Sequence, residues 1–341
     1  MKKQFLKTYH DIISIENLLL AWQEFLHGKK KKPDVQNFQY HLMDNIILLH
    51  EDLANHTYEH SGYQSFHITD PKPRHIHKAS VRDRLSHHAV YRQLYPFFDT
   101  IFISDSFSCR LDKGTHKALN RFRKMAYIIS KNNTRTCWIL KCDIKKFFAS
   151  TDQRILIQIL KEHIPDNYII VLLKKVIKSF STSSGKGLPL GNLTSQLFAN
   201  VYMNAFDRFV KHKLKVKYYI RYADDFVILA ENRKYLEKLI FPIKIFLKNR
   251  LQLTLHSQKI YLKTLASGFD FLGLVNFPYY RVLRLATKRR MLRRIMYHPT
   301  PETLQSYLGL MGHGNMFQVK QEILNYYGLF GSEGGNLEKN K

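Results

Sequence analysis

The chain has 341 residues, of which 45% are hydrophobic and 13% aromatic, a composition that is typical of a folded globular protein and excludes a disordered one. Lysine and arginine number 54 against 27 acidic residues, so the formal charge of +27 indicates a polyanionic partner: RNA, DNA, a ribosome-like assembly or an anionic membrane surface. Three cysteines without a C-x-x-C spacing predict a reducing cytoplasm and no zinc module, and no apolar run suits a signal peptide or a transmembrane helix.

Residues 1–70 are predicted to form a helical N-terminal extension. One apolar face repeats at helical spacing and consists of Phe38, Leu42, Ile46, Leu49 and Leu53. Four lysines at positions 29–32, followed by Pro33, predict a charged break between two helices. We expect most of this extension to pack against the domain that follows, whether the lysines are solvated or contact nucleic acid.

Two basic residues lie in a proline-bounded stretch after the extension. Pro71 and Pro73 keep Lys72 extended, because a residue before proline avoids the helical region. Arg74 comes directly afterwards, and a planar guanidinium matches phosphate oxygens. Lys72 and Arg74 are therefore candidates for binding phosphate, although both also fit as ordinary surface charges in so basic a chain.

An apolar strand is predicted at WILKCDI, residues 138–144, and Asp143 is embedded in it. A lone aspartate inside a strand is disfavoured, which indicates that it has a ligand or a partner. Phe147 and Phe148 follow, and core packing is their neutral interpretation because phenylalanine is commonly buried. A capping box at residues 150–153 then predicts the start of a helix.

A glycine-containing loop, GKGLPLGNLTSQ, occupies residues 185–196 and includes Leu190, Gly191 and Gln196. Apolar residues at helical spacing predict that a helix follows the loop and lies under the sheet. These residues are Phe198, Tyr202, Ala205, Phe206 and Phe209.

Residues 217–230 read KYYIRYADDFVILA, two strand-like runs around Asp224 and Asp225. The pattern predicts a β-hairpin with carboxylates at its turn. A divalent cation, which prefers oxygen ligands, would relieve the cost of burying two adjacent charges. Together with Asp143 they supply the three carboxylates that two-metal phosphoryl transfer requires. For the tetrapeptide by itself, a surface hairpin with an acidic tip is the alternative.

The C-terminal third carries three further features. Residues 251–259, LQLTLHSQK, alternate as a strand that ends on Lys259. The stretch GFDFLG at residues 268–273 ends on Gly273, which permits close approach of another backbone. Residues 276–341 are predicted to be helical with a disordered tail from residue 331. One helix concentrates positive charge for contact with nucleic-acid backbone, through Lys288, Arg289, Arg290, Arg293 and Arg294.

In combination, these motifs resemble those of reverse transcriptases of the bacterial group II intron lineage. The stretch from Tyr222 to Asp225, YADD, is similar to their YxDD signature, and Asp143 falls where their first catalytic aspartate falls. KPRHIHKASVRDR at residues 72–84 resembles their fingers segment, LPLGNLTSQ their loop before the palm helix, and GFDFLG their primer grip. The ordered matches span about residues 70–275.

The resemblance implies an α+β right-hand polymerase, with fingers and palm over residues 71–275 and a short helical thumb in residues 276–341. It implies an RNA-directed DNA polymerase with two Mg²⁺ ions, or Mn²⁺ as a substitute, held by Asp143, Asp224 and Asp225. Template RNA, a primer or cDNA strand and deoxynucleotides would be its partners. The residues implied for the incoming nucleotide are Lys72, Arg74, Phe148, Leu190, Gly191, Gln196 and Lys259. Those implied for the primer end are Phe271, Leu272 and Gly273.

One departure from the general pattern narrows the resemblance. Most reverse transcriptases have Gln-Gly and Ser-Pro in the loop, whereas this chain has Leu190-Gly191 and Ser195-Gln196, which resembles the enzymes of diversity-generating retroelements. An aliphatic side chain in place of the amide removes a polar contact that helps to fix nucleotide geometry. The resemblance therefore implies error-prone copying at template adenines and a small, basic, helical accessory protein.

Two alternatives stay open at this point. A retron-like or phage-defence reverse transcriptase would perform the same chemistry in another setting. A non-catalytic, maturase-like RNA-binding protein would keep the fold without polymerisation, although the presence of all three carboxylates argues against it.

Overall fold

The computed structural model describes residues 3–69, 73–312 and 314–331. Four helices come first: α1 (Tyr9–Ile13), α2 (Ile15–Phe25), α3 (Pro33–Tyr40) and α4 (Leu42–Ala54). An antiparallel hairpin of β1 (Gln64–Ile68) and β2 (Arg74–Lys78) follows, then the long helices α5 (Val81–Asp99) and α6 (Thr115–Ile129). The N-terminal segment is therefore helical as predicted, except that residues 64–68 form a strand.

The apolar face that was predicted as one helix is divided between α3 and α4. His41 leaves the helical region, with φ −112° and ψ 41°, so one helix ends there and the next begins. Phe38 packs against the core from α3, whereas Ile46 and Leu49 are buried from α4. The helical spacing of these five residues indicated a single helix, and that expectation was wrong. The break at Pro33 is present, because proline occupies the first turn of α3.

The central part of the chain combines a sheet with five helices and a short π-helical turn. Its strands are β3 (Trp138–Asp143), β4 (Tyr219–Tyr222), β5 (Asp225–Ala230) and β6 (Tyr261–Thr264). Its helices are α7 (Phe147–Ser150), α8 (Gln153–Lys161), α9 (Asn167–Lys178), α10 (Leu193–Arg208), continued by the π-helical turn Phe209–Lys213, and α11 (Arg233–Leu251). The predicted capping box at the start of α8 is replaced by a single cap: Asp152 accepts hydrogen bonds from the Arg154 and Ile155 N–H groups.

The four central strands form an antiparallel sheet in the order β4–β5–β3–β6. Because successive side chains point to opposite faces, Leu140 and Cys142 enter the larger hydrophobic core and Ile139 the smaller one. Helix α10 contributes Tyr202 to the larger core, and α6 contributes Phe122 to the smaller one. The predicted hairpin is confirmed, and so is the predicted strand, which ends at Asp143, one residue earlier than predicted.

The strand predicted at residues 251–259 was wrong. Helix α11 continues to Leu251, and Gln252 ends it in a left-handed conformation with φ 50°. Leu253 and Leu255 are buried, which explains the apolar alternation, but they lie in an irregular link. A 3₁₀ turn, Ser257–Lys259, then leads into β6, so Lys259 ends a turn rather than a strand.

The C-terminal part begins with a second antiparallel sheet and ends in helices. The strands are β7 (Phe269–Phe271), β8 (Leu274–Asn276) and β9 (Arg281–Leu283), and the helices α12 (Leu285–Tyr297), α13 (Pro301–Met311) and α14 (Phe317–Gly331). The larger core runs from Phe5 to Leu255, and the smaller core joins α6 to both sheets and to α12–α14. The boundaries at residues 70 and 275 stay predictions. Within the described ranges, no helix is both long and apolar enough to cross a membrane.

Candidate active site

The turn between β4 and β5 carries two adjacent carboxylates. Tyr222 pairs with Asp225 across the hairpin, which leaves Ala223 and Asp224 as the turn residues. Ala223 has φ 54°, in the left-handed region that residues other than glycine rarely adopt. Such a residue persists where its surroundings fix it, and here the Arg221 Nη1 donates a hydrogen bond to the Ala223 carbonyl at 3.0 Å. The turn is therefore held from the core side by a cation.

That cation belongs to a fully buried ion pair. The Arg221 guanidinium lies 2.7 Å (Nη2 to Oδ2) and 2.8 Å (Nε to Oδ1) from the Asp207 carboxylate of α10, and both side chains are inaccessible to solvent. It also donates to Asn200 Oδ1 and Ser106 Oγ. Sequence reasoning did not identify Arg221. The available signal was a charged residue inside an apolar strand, the same signal that singled out Asp143.

Asp143 and Asp225 lie directly opposite each other on β3 and β5. Like charges in this position repel, and two lysines offset the repulsion. The Lys259 Nζ lies 3.0 Å from Asp143 Oδ2, and the Lys141 Nζ lies 3.7 Å from Asp225 Oδ2. The structure therefore brings the three predicted aspartates to the same end of the sheet and places Lys259 beside the first of them.

The protonation of Asp224 reflects this crowding. Burial, together with the negative charges of Asp143 and Asp225, raises the pKa of the Asp224 carboxyl from 3.8 to about 6. The positive charge of Lys259 opposes the shift. A group placed where its charged form is disfavoured is typical of a functional site rather than of a solvated surface turn.

The chemistry of the three carboxylates fits a divalent cation, because hard ions such as Mg²⁺ prefer oxygen ligands. The side chains are not already arranged as a finished metal centre: within the described ranges, no three His, Cys, Asp or Glu side chains are grouped closely enough to hold an ion. Asp143 is instead bonded to the Lys259 ammonium. A bound cation would compete with that ammonium for the Asp143 carboxylate.

Backbone hydrogen bonds attach the predicted glycine loop to both of its neighbours. The Leu188 N–H donates to the Phe148 carbonyl at 2.8 Å, and the His77 N–H donates to the Leu190 carbonyl at 2.9 Å. Gly191 has φ 106°, and a Cβ atom there would lie 2.8 Å from Ile76 Cγ2, so only glycine fits. The loop thus connects β2 to the segment that follows Asp143.

The other residues predicted to bind the nucleotide are placed around this loop. Arg74 is exposed at the start of β2, and Lys72 lies outside the described residues. Phe148 is half-buried, with its ring centroid 5.4 Å from that of Phe147, so it is neither fully core nor free. Gln196 is half-buried in the first turns of α10.

A basic cavity that sequence reasoning missed lies next to Asp143 in the chain. It has a volume of about 270 Å³, and Lys145, Lys146 and Lys186 contribute to its lining without any acidic residue. Three ammonium groups around one space attract a polyanion. The signal in the sequence was the pair of lysines that directly follows the strand.

The predicted primer grip divides into a buried and an accessible part. Phe271 is fully buried and packs on Phe122 of α6, with ring centroids 5.3 Å apart, so its side chain belongs to the core. Leu272 and Gly273 form the β7–β8 turn, both with positive φ. Only the turn can touch a nucleic acid without rearrangement.

Helix α12 confirms the predicted clustering of basic residues on a helix. Met291 and Ile295 are buried, while Arg289, Arg293 and Arg294 are exposed. Lys288 is an exception, because its Nζ lies 2.6 Å from the Glu322 carboxylate of α14. Arg290 is half-buried. The exposed arginines are therefore the better candidates for phosphate contact.

Comparison with protein families matches residues 68–275 to the family described as reverse transcriptase (RNA-dependent DNA polymerase). Protein YkfC of Escherichia coli (strain K12) is 23% identical over 275 residues, 69% of this chain and 72% of YkfC. The group II intron-encoded protein LtrA of Lactococcus lactis subsp. cremoris is 22% identical over 259 residues, 56% of this chain and 42% of LtrA. The putative COX1/OXI3 intron 2 protein of Saccharomyces cerevisiae is 21% identical over 211 residues, 43% of this chain and 25% of that protein. This chain therefore spans less than half of the two intron proteins.

Among solved structures, the chain is similar to apo telomerase from Candida tropicalis truncated from its C-terminal domain. The TM-score is 0.49 at 13% identity, over 72% of this chain and 60% of that chain. The family match, together with the antiparallel sheet and its covering helices, confirms the predicted right-hand polymerase fold.

Proposed function

The chain belongs to the reverse transcriptase family and is an RNA-directed DNA polymerase, and we propose that it is the error-prone, adenine-mutagenic enzyme of a diversity-generating retroelement. The observation that carries the polymerase site is the meeting of Asp143, Asp224 and Asp225 at one end of the central sheet. The observation that supports the mutagenic role is Leu190 in the loop attached to β2.

In the proposed reaction the primer 3′-hydroxyl loses its proton to solvent and its oxygen forms a bond to the α-phosphorus of a deoxynucleoside triphosphate. The bond from that phosphorus to the bridging oxygen breaks, and pyrophosphate leaves. Two bound Mg²⁺ ions would supply activation of the attacking oxygen and stabilisation of the leaving oxygen, with Asp143, Asp224 and Asp225 as their ligands. Lys259, 3.0 Å from Asp143, would hold a proton near the leaving pyrophosphate. Arg74, Lys72 and the cavity lined by Lys145, Lys146 and Lys186 would hold the triphosphate.

Leu190 and Gly191 would form one side of the nucleotide pocket, with Phe148 opposite as the residue that excludes a 2′-hydroxyl by its bulk. A polar contact between loop and nucleotide discriminates between substrates because a mismatched partner leaves a polar group unpaired. Leu190 offers no such group, so misplaced nucleotides meet a smaller penalty. Gln196 lies in the first turns of α10 and does not take the place of the amide that is missing at position 190. We therefore expect error-prone copying.

The accessory protein that the proposal requires has a suitable surface on α3 and α4. Residues 33–71 contain no lysine or arginine, although the whole chain has 54. Among the exposed residues there are Tyr40, Met43, Ile47 and Leu48, with Asp44 and Glu51 beside them. An acidic, apolar surface on a strongly basic protein suits a basic protein partner and repels RNA.

Primer extension on an RNA template with Mg²⁺ tests the proposal, with Asp224→Asn as the inactive variant and sequencing of the product. We expect cDNA that is lost in the variant, with errors concentrated at template adenines. If the cDNA has no excess of errors at template adenines, the chain is instead a retron-like or phage-defence reverse transcriptase. Unchanged activity in Asp224→Asn would contradict the assigned site. Absence of cDNA, even after addition of a small basic protein encoded nearby, would contradict polymerase activity.

A further inference from the structure

A second cavity lies beside the C-terminal half of α6. It has a volume of about 400 Å³ and is bounded by α6, the loop that follows it and the β8–β9 turn. Thr115, at the start of α6, contacts the Tyr222 hydroxyl at 3.1 Å. Arg123 and Tyr127 line the cavity eight and twelve residues later, which is about 12 Å and about 18 Å along the helix axis. The cavity is therefore separate from the polymerising site.

Aromatic rings form much of the wall of this cavity. Tyr127 and Tyr279 are 49% and 71% exposed, so much of each side chain is accessible to solvent. Phe277 and Tyr280 stack on each other, with centroids 4.7 Å apart, and support the turn from which Tyr279 projects. Exposed rings on a rigid support are the usual stacking surface for unpaired nucleobases.

Two arginines lie in the same cavity without an acidic neighbour. Arg281 is only 7% exposed and donates from Nη2 to Asn120 Oδ1 at 3.1 Å. Burial and the adjacent charge of Arg123 lower the pKa of Arg281. No aspartate or glutamate occurs in residues 113–142 or 271–301, the two segments that provide most of the wall. Burying a guanidinium beside another one is costly unless an anion joins them.

The cavity is formed before any ligand arrives. Asn132 and Asn133 have φ 62° and 66°, left-handed values that asparagine tolerates, and they turn the chain after α6. The Asn133 Nδ2 donates to the Pro278 carbonyl at 3.0 Å and so ties this loop to the β8–β9 turn. A ligand would not have to order either wall, which lowers the entropic cost of binding.

We propose that this cavity binds one unpaired nucleotide of an RNA strand, with its phosphate at Arg123 and Arg281 and its base stacked on Tyr279 or Tyr127. The site is additional to the polymerase cleft and does not depend on the retroelement assignment. A strand fits better than a free nucleotide, because Lys124, Lys131 and Arg135 are exposed on α6 and its following loop and would attract flanking phosphates.

Photocrosslinking with an RNA that carries a single 4-thiouridine tests the site, once as a single strand and once paired in a duplex. The full chain is first saturated with an unlabelled primer–template duplex to occupy the polymerase cleft. We expect crosslinks in residues 123–127 or 277–281 from the single strand and not from the duplex. Crosslinks confined to other segments, or equal yields from both RNAs, would overturn the proposal.

Variants give the second readout, the affinity for the single strand under the same conditions. Tyr279→Ala and Arg123→Gln should each weaken it by about tenfold, the loss expected for one stacked base or one charged contact. Tyr235→Ala and Arg250→Gln change exposed residues of the same types elsewhere and should leave it unchanged. Both test residues are exposed, so their substitution should leave the melting temperature unaltered, whereas buried Arg281 is unsuitable. Equal affinity in all four variants, or displacement of the RNA by a low concentration of uridine monophosphate, would exclude a strand-binding site.

Discussion

Two ion pairs on the central sheet differ in the freedom of their charges. Arg221 and Asp207 are completely buried and joined by several hydrogen bonds. Lys259 and Asp143 share one contact, and their side chains remain 42% and 18% exposed. The first pair supports the turn between β4 and β5 through the Ala223 carbonyl, whereas the second would have to open if a cation bound Asp143. The pair behind the candidate site is therefore fully buried, and the pair within it is accessible to solvent.

The largest loss of stability is expected from breaking the buried Arg221–Asp207 ion pair. Arg221→Met leaves the Asp207 carboxylate buried without its cation, which should lower the free energy of unfolding by about 3–5 kcal/mol. Urea denaturation measures this loss. Adding Asp207→Asn removes the stranded charge while keeping an acceptor for the Tyr219 hydroxyl, so the double variant should recover part of the stability. If it is no more stable than the single variant, the stranded charge is not the cause.

A gain in stability of intermediate size is expected from Asp224→Asn, in the turn between β4 and β5. The pKa of Asp224 is about 6 in the folded protein, above the ordinary value of 3.8, so ionisation of this carboxyl destabilises the folded state. The loss of stability is complete above about pH 6 and absent below pH 3.8. Without divalent metal, Asp224→Asn should therefore raise the free energy of unfolding at neutral pH by about 1–2 kcal/mol, after allowance for partial exposure. The gain should shrink towards about pH 4 in the same denaturation series. A loss of stability at neutral pH would contradict the crowding of charges.

The smallest stability change is expected from breaking the partly exposed Lys259–Asp143 ion pair. Lys259→Met should alter the free energy of unfolding by less than about 1 kcal/mol, because a partly exposed pair is weak. Its effect belongs to activity: the Mg²⁺ concentration for half-maximal primer extension should fall, since no ammonium competes for Asp143. The turnover number should also fall if Lys259 supplies a proton. A higher Mg²⁺ requirement would show that the lysine assists metal binding instead.

The sequence predicted those parts of the site that depend on local pattern. Runs of apolar, β-branched and aromatic residues identified β3, β4 and β5, and the register of the sheet then places Asp143 opposite Asp225. Arg221 was missed because its partner Asp207 lies on another element, α10. Hydrophobic periodicity does not show which residues of two different elements meet. Phe271 shows the opposite limit: an aromatic residue in a recognised motif can belong to the core. At residues 251–259, burial of alternate leucines in an irregular link imitated a strand.

The shared larger core has a consequence for how the chain is synthesised. The Phe5 N–H donates to the His163 carbonyl at 2.8 Å, and Asn17 of α2 donates to the Ala89 carbonyl of α5 at 3.2 Å. Residues 5–25 therefore leave the ribosome well before the residues that contact them in the folded protein. At about 5–20 residues per second, Phe5 waits roughly ten to thirty seconds for His163. During that interval α2 exposes side chains that are buried in the folded protein, among them Leu18, Trp22 and Phe25, so a chaperone that covers them should reduce aggregation.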